Sequence, residues 1–154
     1  MALVEQGDPA PPFELENDLG EPVTLNGGRW LVLYWYPKDD TPGCTTEACE
    51  FRDSWSAISR QADVYGVSPD TTKSHHKFRE KFNLPFPLLS DAGHLVAERY
   101  GVWVPKKFMG RSYMGVERTT FIIAPDGTVA RVFRSVKPAG HAKQILKALA
   151  ELKG

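Results

Sequence analysis

Apolar positions along the chain recur at two spacings, and the switches between them mark out the elements. Phe13-Glu-Leu-Glu and Pro22-Val-Thr-Leu alternate around an Asp18-Leu-Gly turn, which predicts an N-terminal β-hairpin. Trp30-Leu-Val-Leu-Tyr-Trp-Tyr36 is apolar throughout and stops at Pro37, as suits a strand buried on both faces. Residues 42 to about 60 read as a helix, with Ala48, Phe51, Trp55 and Ile58 as an apolar stripe at steps of three and four. Ala62 to Ser68 is the next strand and Lys73 to Phe82 a polar-faced helix. Pro87-Leu-Leu-Ser is a short strand, and Asp91 to Tyr100 a helix with Asp91 as its N-cap. Thr119 to Ala124 and Thr128 to Phe133 flank a Pro125-Asp-Gly turn, giving a second hairpin. A final helix spans about Ala139 to Leu152.

Strands alternating with helices predict a central mixed sheet covered on both faces, in the order of a thioredoxin-like α/β sandwich. The chain has 154 residues with no repeat, linker or low-complexity tract, so one domain over residues 1–154 is expected. Nineteen basic residues balance nineteen acidic ones, which argues against nucleic acid or an anionic membrane as partner. No apolar run approaches the length of a membrane helix. Met1-Ala-Leu-Val-Glu-Gln-Gly-Asp8 lacks the basic start and apolar stretch of a signal peptide, so the expected location is the cytoplasm. Thiols stay reduced there, and cysteines point to catalysis or redox chemistry rather than a structural staple.

The chain has two cysteines, Cys44 and Cys49. Their spacing is not that of a CxxC motif, and two ligands are too few for a zinc site. Thr41 can cap the helix and Pro42 suits its first position, so Cys44 falls in the first turn. Unpaired N–H groups and the positive end of the helix favour a thiolate there. Cys44 continues the apolar stripe, four residues before Ala48, whereas Cys49 points about 140° away. One thiol faces inward and the other outward. His75 and His76 read as a solvated helix face without a cysteine or carboxylate cluster, and His94 and His141 as surface residues. Lys106, Lys107 and Arg111 read as a solvated loop, and Trp30, Trp55 and Trp103 as core. Arg118, taken alone, is a strand-flanking charge. No phosphate loop, GxSxG elbow or HExxH motif occurs, which leaves kinase, esterase and zinc-protease readings without support.

Tyr34-Trp-Tyr-Pro-Lys-Asp-Asp-Thr-Pro-Gly-Cys-Thr-Thr-Glu-Ala-Cys49 resembles the active-site segment of the peroxiredoxins, specifically the PrxQ type, also called bacterioferritin comigratory protein. Pro85-Phe-Pro-Leu-Leu-Ser-Asp91, Gly101-Val-Trp103, Phe108-Met-Gly110 with Tyr113, and Glu117-Arg-Thr-Thr-Phe-Ile-Ile123 support the resemblance. Trp35 stands where relatives often carry Phe. Other subclasses place a second cysteine near the C-terminus, and none lies by Glu151-Leu-Lys-Gly154. The resemblance implies a thiol-dependent peroxidase for hydrogen peroxide and organic hydroperoxides, with Cys44 peroxidatic and Cys49 resolving. It further implies a pocket shaped by Thr41, Pro37, Pro42 and Arg118, with Glu47 orienting the arginine. Neither metal nor organic cofactor is implied. A thioredoxin or glutaredoxin-type donor would reduce a Cys44–Cys49 disulfide, and a monomer is expected because no intersubunit bond is needed. Two other readings remain open: a redox switch that alters binding to a partner protein, and a general disulfide oxidoreductase acting on proteins. Catalytic turnover of hydrogen peroxide separates the first reading from both.

Overall fold

The computed structural model describes residues 3–154. Met1 and Ala2, part of the segment read for a signal peptide, lie outside the described residues. The chain runs β1 (Glu14–Asn17), β2 (Pro22–Thr24), β3 (Trp30–Trp35), α1 (Pro42–Asp53), α2 (Trp55–Ile58), β4 (Ala62–Ser68) and α3 (Thr72–Phe82). It continues through β5 (Leu88–Ser90), α4 (Leu95–Arg99), β6 (Trp103–Phe108), β7 (Arg111–Val116), β8 (Thr119–Ile123), β9 (Val129–Phe133) and α5 (His141–Lys153). Seven strands form one mixed sheet in the order β2-β1-β5-β4-β3-β8-β9, with β3, β4 and β5 parallel. The N-terminal hairpin pairs Leu15 with Val23. This is the thioredoxin-like sandwich that the element order predicts.

Strand alternation divides the core. Val32, Tyr34 and Tyr36 face a cluster that includes Ala48 and Phe51 of α1, Phe78 of α3, and Ile145 and Leu149 of α5. Leu31, Leu33 and Trp35 face the other way, toward Phe13, Tyr100, Val102 and Phe121. Helices on one face and α4 with the N-terminal segment on the other explain why β3 carries no charged side chain.

Five expectations are corrected. The helix read over residues 42–60 breaks at Ser54, whose φ of −98° and ψ of 8° leave the helical region. Asp53 and Ser54 are weak helix formers, and the break lets Ile58 bury fully while Trp55 packs on Phe86. Lys106, Lys107 and Arg111 belong not to a loop but to a two-stranded ribbon, β6–β7. Its turn residues Met109 and Gly110 both have positive φ, as in type I′ hairpins, and its exposed Phe108 and Met109 hide the usual half-buried alternation. His75 and His141 are not surface residues: both are fully buried. A buried imidazole needs partners for both nitrogens. His141 finds them in Thr120 and Gln144, and His75 in Asp39 and the Leu89 carbonyl. A carboxylate pair, Asp39 and Asp70, therefore does accompany His75. His94 is half-exposed and stacks on Trp103, with ring centroids 4.2 Å apart. The helix expected from Asp91 begins only at Leu95, yet the Asp91 carboxylate still accepts the Val96 and Ala97 N–H groups.

Candidate active site

The β3–β8 register places Trp35 opposite Thr119, so the residues that follow β3 and precede β8 meet at one end of the sheet. That pairing carries Arg118 to the start of α1. Pro37 ends β3 because it has no N–H for the ladder. Thr41 is extended, with φ −100° and ψ 156°, and Pro42 occupies the first helical turn. The first backbone bond of α1 runs from Thr45 N–H to the Thr41 carbonyl at 2.8 Å. The N–H groups of Gly43 and Cys44 precede it and have no partner within the helix. The Thr41 hydroxyl does not cap the helix; it donates instead to the Lys38 carbonyl at 2.9 Å.

Arg118 is anchored through its carbonyl, which accepts the Val136 N–H at 2.9 Å. Its guanidinium then reaches back with both terminal nitrogens. Nη2 donates to the Cys44 sulfur at 3.2 Å, and Nη1 donates to Glu47 Oε1 at 2.8 Å. Cys44 and Glu47 are each only 1% exposed. Cys49 is half-buried, and both cysteines are free thiols. Gly43 makes the approach possible, since a Cβ there would lie 3.3 Å from both Arg118 Nη2 and Pro138 Cγ. The structure thus brings together Cys44, Glu47 and Arg118, with Thr41 and Pro42 beside them in the chain. Pro37 sits half-buried at the strand end, and Cys49 stands apart on another side of α1.

Burial pushes the Glu47 carboxyl up to about 7 although Arg118 pulls it down. Its Oε2 has no hydrogen-bond partner among the described residues. Burial works against the charge on Arg118, but Glu47 and Cys44 outweigh it and hold the guanidinium above its ordinary range. Burial, then Glu47 and Cys44, raises the Tyr34 phenol well above the usual tyrosine value. Lys106 is a neighbour that sequence reasoning missed. Half-buried on β6, it is lowered by burial and by Arg118 and raised by Cys44. Nothing local marks it; only the β6–β7 register turns it toward the site.

A thioredoxin-like sheet that presents an arginine-bound cysteine at a helix start belongs to a protein doing redox work with a thiol. Residues 6–132 match the AhpC/TSA family. Peroxiredoxin Bcp of Bacillus subtilis is 48% identical over 152 residues, covering 97% of each chain. Peroxiredoxin Bcp of Escherichia coli is 41% identical over 154 residues, covering 98% of this chain and 99% of its own. A crystal structure of Xylella fastidiosa PrxQ superposes with a TM-score of 0.93 at 34% identity over the full length of both chains. The chain belongs to the AhpC/TSA family, among the peroxiredoxins of the Bcp or PrxQ kind, and is a thiol peroxidase. No described helix is long and apolar enough to cross a membrane.

Proposed function

We propose that the protein reduces hydrogen peroxide and organic hydroperoxides with Cys44, resolves the product with Cys49, and is reset by a thioredoxin or glutaredoxin-type dithiol. The reading makes it a cytoplasmic monomer of one domain that needs neither metal nor organic cofactor. What carries it is the Arg118 fork, 3.2 Å from the Cys44 sulfur and 2.8 Å from Glu47. An arginine cannot lose its charge, and its planar donors can serve sulfur and carboxylate together.

The Cys44 thiolate attacks one peroxide oxygen; an S–O bond forms and the O–O bond breaks. The second oxygen leaves with the electron pair and takes a proton, giving water or an alcohol. Arg118 and the first-turn N–H groups oppose the negative charge that develops across the breaking bond. Thr41 has committed its hydrogen to Lys38, so its oxygen offers lone pairs to the hydrogen of the incoming peroxide. Glu47 keeps the guanidinium from rotating away. Cys49 then attacks the sulfenic sulfur; an S–S bond forms, the S–O bond breaks, and water leaves. An external dithiol supplies two electrons and two protons and restores both thiols.

Two variants test the division of labour. Cys44→Ser abolishes turnover of peroxide with any reductant. Cys49→Ser consumes about one equivalent of peroxide and accumulates sulfenic or sulfinic acid on Cys44. Mass spectrometry after a peroxide titration reads both, and turnover surviving in Cys44→Ser would overturn the assignment.

A further inference from the structure

A second buried polar cluster joins the end of β3, the loop over residues 37–41, and α3. His75 is fully buried, with Nδ1 at 2.7 Å from Asp39 Oδ2 and Nε2 at 2.8 Å from the Leu89 carbonyl. Tyr36 donates to Asp39 Oδ1 at 2.6 Å, and Ser74 donates to Asp39 Oδ2 at 2.8 Å. The Asp39 N–H in turn donates to Asp70 Oδ2 at 2.8 Å, which also accepts the Ser68 hydroxyl at 2.6 Å.

Counting hydrogens narrows the state of this cluster. The Leu89 carbonyl only accepts, so Nε2 carries a hydrogen. Nδ1 faces a carboxylate oxygen, and a 2.7 Å contact between two acceptors needs a hydrogen between them. Tyr36 and Ser74 are already donating to Asp39, so that proton belongs to the His75–Asp39 pair. Burial, followed by the Asp39 carboxylate, pushes the Tyr36 phenol well above its ordinary range, in keeping with its role as donor. One ligand atom from each of Asp39, Asp70 and His75 lies within 4.8 Å of the others. Each of the three residues is nevertheless engaged in hydrogen bonds, so the cluster is closed on itself and is not a cation site.

Its position gives it a consequence for Cys44. Asp39 lies in the loop between β3 and α1, two residues before Thr41 and five before Cys44. The next residue, Asp40, bonds Lys81 of α3 at 2.8 Å. The loop that delivers Cys44 to Arg118 is therefore held down on α3. We infer that His75 is a positioning residue for the reaction of Cys44: through one proton shared with Asp39 it clamps this loop on α3 and keeps the first turn of α1 against Arg118. The inference rests on the peroxidase reading above. Cutting either side chain back to alanine leaves its partners unpaired in a buried site and opens the clamp. The groups facing the pair are Tyr36 from the residue after β3, Asp70 from the loop after β4, and Ser74 from α3, with Asp40, Lys73, Lys77 and Lys81 lining the adjoining cleft.

The test compares two reactions of Cys44 in the full-length chain carrying Cys49→Ser: oxidation by hydrogen peroxide, which needs the assembled pocket, and alkylation by iodoacetamide, which does not. His75→Ala and Asp39→Ala each slow oxidation on the order of 10²-fold, the scale of a small misplacement of reacting groups. Alkylation slows far less, and the double variant is no slower than either single one. Asp39→Asn recovers most of the oxidation rate, because its amide can serve Tyr36, Ser74 and a neutral His75 together. Should an alanine variant fail to fold, Asp39→Asn carries the test: oxidation far below the parent rate with alkylation unchanged contradicts a clamp that an amide can hold. Alanine variants that oxidise at the parent rate overturn the clamp. A parent that fails to react with peroxide overturns the peroxidase reading instead, and the clamp with it.

Discussion

Arg118 serves two partners with two nitrogens, and the geometry says what each loss should do. Nη2 contacts the Cys44 sulfur at 3.2 Å, while Nη1 is fixed on Glu47 at 2.8 Å. On the proposed mechanism, Arg118→Ala removes a charge beside the Cys44 sulfur and a donor to the transition state together. A single donor of this kind is worth on the order of 10²- to 10³-fold in rate, so a loss at least that large is expected in the oxidation of Cys44. Arg118→Lys recovers only part of it, because a single ammonium cannot hold the sulfur and the carboxylate with the same fork. Stopped-flow oxidation measures the loss, and ultraviolet absorbance of the thiolate separates ground-state from transition-state effects. An undiminished rate in Arg118→Ala would remove the arginine from the mechanism.

At the scale of one element, the proposed Cys44–Cys49 disulfide cannot form on an intact α1. Five helical steps separate two Cα atoms by about 8.7 Å, a distance that follows from the rise and radius of the helix. A disulfide tolerates no more than ~7 Å, and Cys44 and Cys49 also point apart. The first turn opens readily in principle: Gly43, Thr45 and Thr46 are poor helix formers, and Thr46 bonds back to the Pro42 carbonyl at 3.0 Å. Phe51 sets the far limit. It is fully buried, stacked on Tyr34 at 4.9 Å and edge-on to Phe86 and His141 at 6.3 and 5.8 Å. Exposing it costs about 1.5–3 kcal/mol in transfer free energy alone. Unwinding is therefore expected from Thr41 to Glu50, breaking the bond from the Gly140 N–H to the Glu50 carboxylate at 2.8 Å. Hydrogen exchange in the reduced and disulfide forms reads this directly. Protection of residues 44–50 falls on oxidation while that of Phe51–Asp53 persists, and equal protection of residues 44–50 in both forms contradicts the proposal.

The stability of the whole molecule registers the cost of burying Glu47. Its folded value of about 7 lies above the ordinary 4.5, chiefly through burial. At pH below the ordinary value the carboxyl is neutral folded or unfolded and carries no charge penalty. As pH rises from 4.5 to 7 the unfolded chain sheds the proton first, so stability falls across that window and then levels off. Glu47→Gln keeps an acceptor for Arg118 and has no proton to lose. Relative to the parent it gains roughly 3 kcal/mol between pH 4 and pH 8, as the size of the shift dictates. Urea unfolding of both chains at the two pH values measures the gain. A stability difference that does not change with pH would show that Glu47 is not titrating in the fold.

Much of this protein is local and therefore legible in a line of residues. The apolar run from Trp30 to Tyr36, the stop at Pro37 and the Pro42 helix start depend on near neighbours, so their elements follow from spacing and backbone chemistry. The placement of the two cysteines on different sides of α1 follows from helical periodicity alone. Ser54, by contrast, breaks a continuous apolar stripe because Trp55 and Ile58 pack better on the core after a change of direction. His75 and His141 carry no mark of burial; a distant loop and strand supply both partners of His75, and the strand residue Thr120 joins Gln144 of the same helix on His141. The β6–β7 ribbon and Lys106 depend on cross-strand register, which no single segment encodes. The resemblance names Arg118 and Glu47, but their contact belongs to the fold, since it joins residues 71 apart that only the β3–β8 pairing brings together. Local sequence determines what each segment can form at the cost of a few neighbouring dihedrals. Which charges meet is decided only when long-range strand pairing removes them from water together, because only then does an unpaired partner become costly.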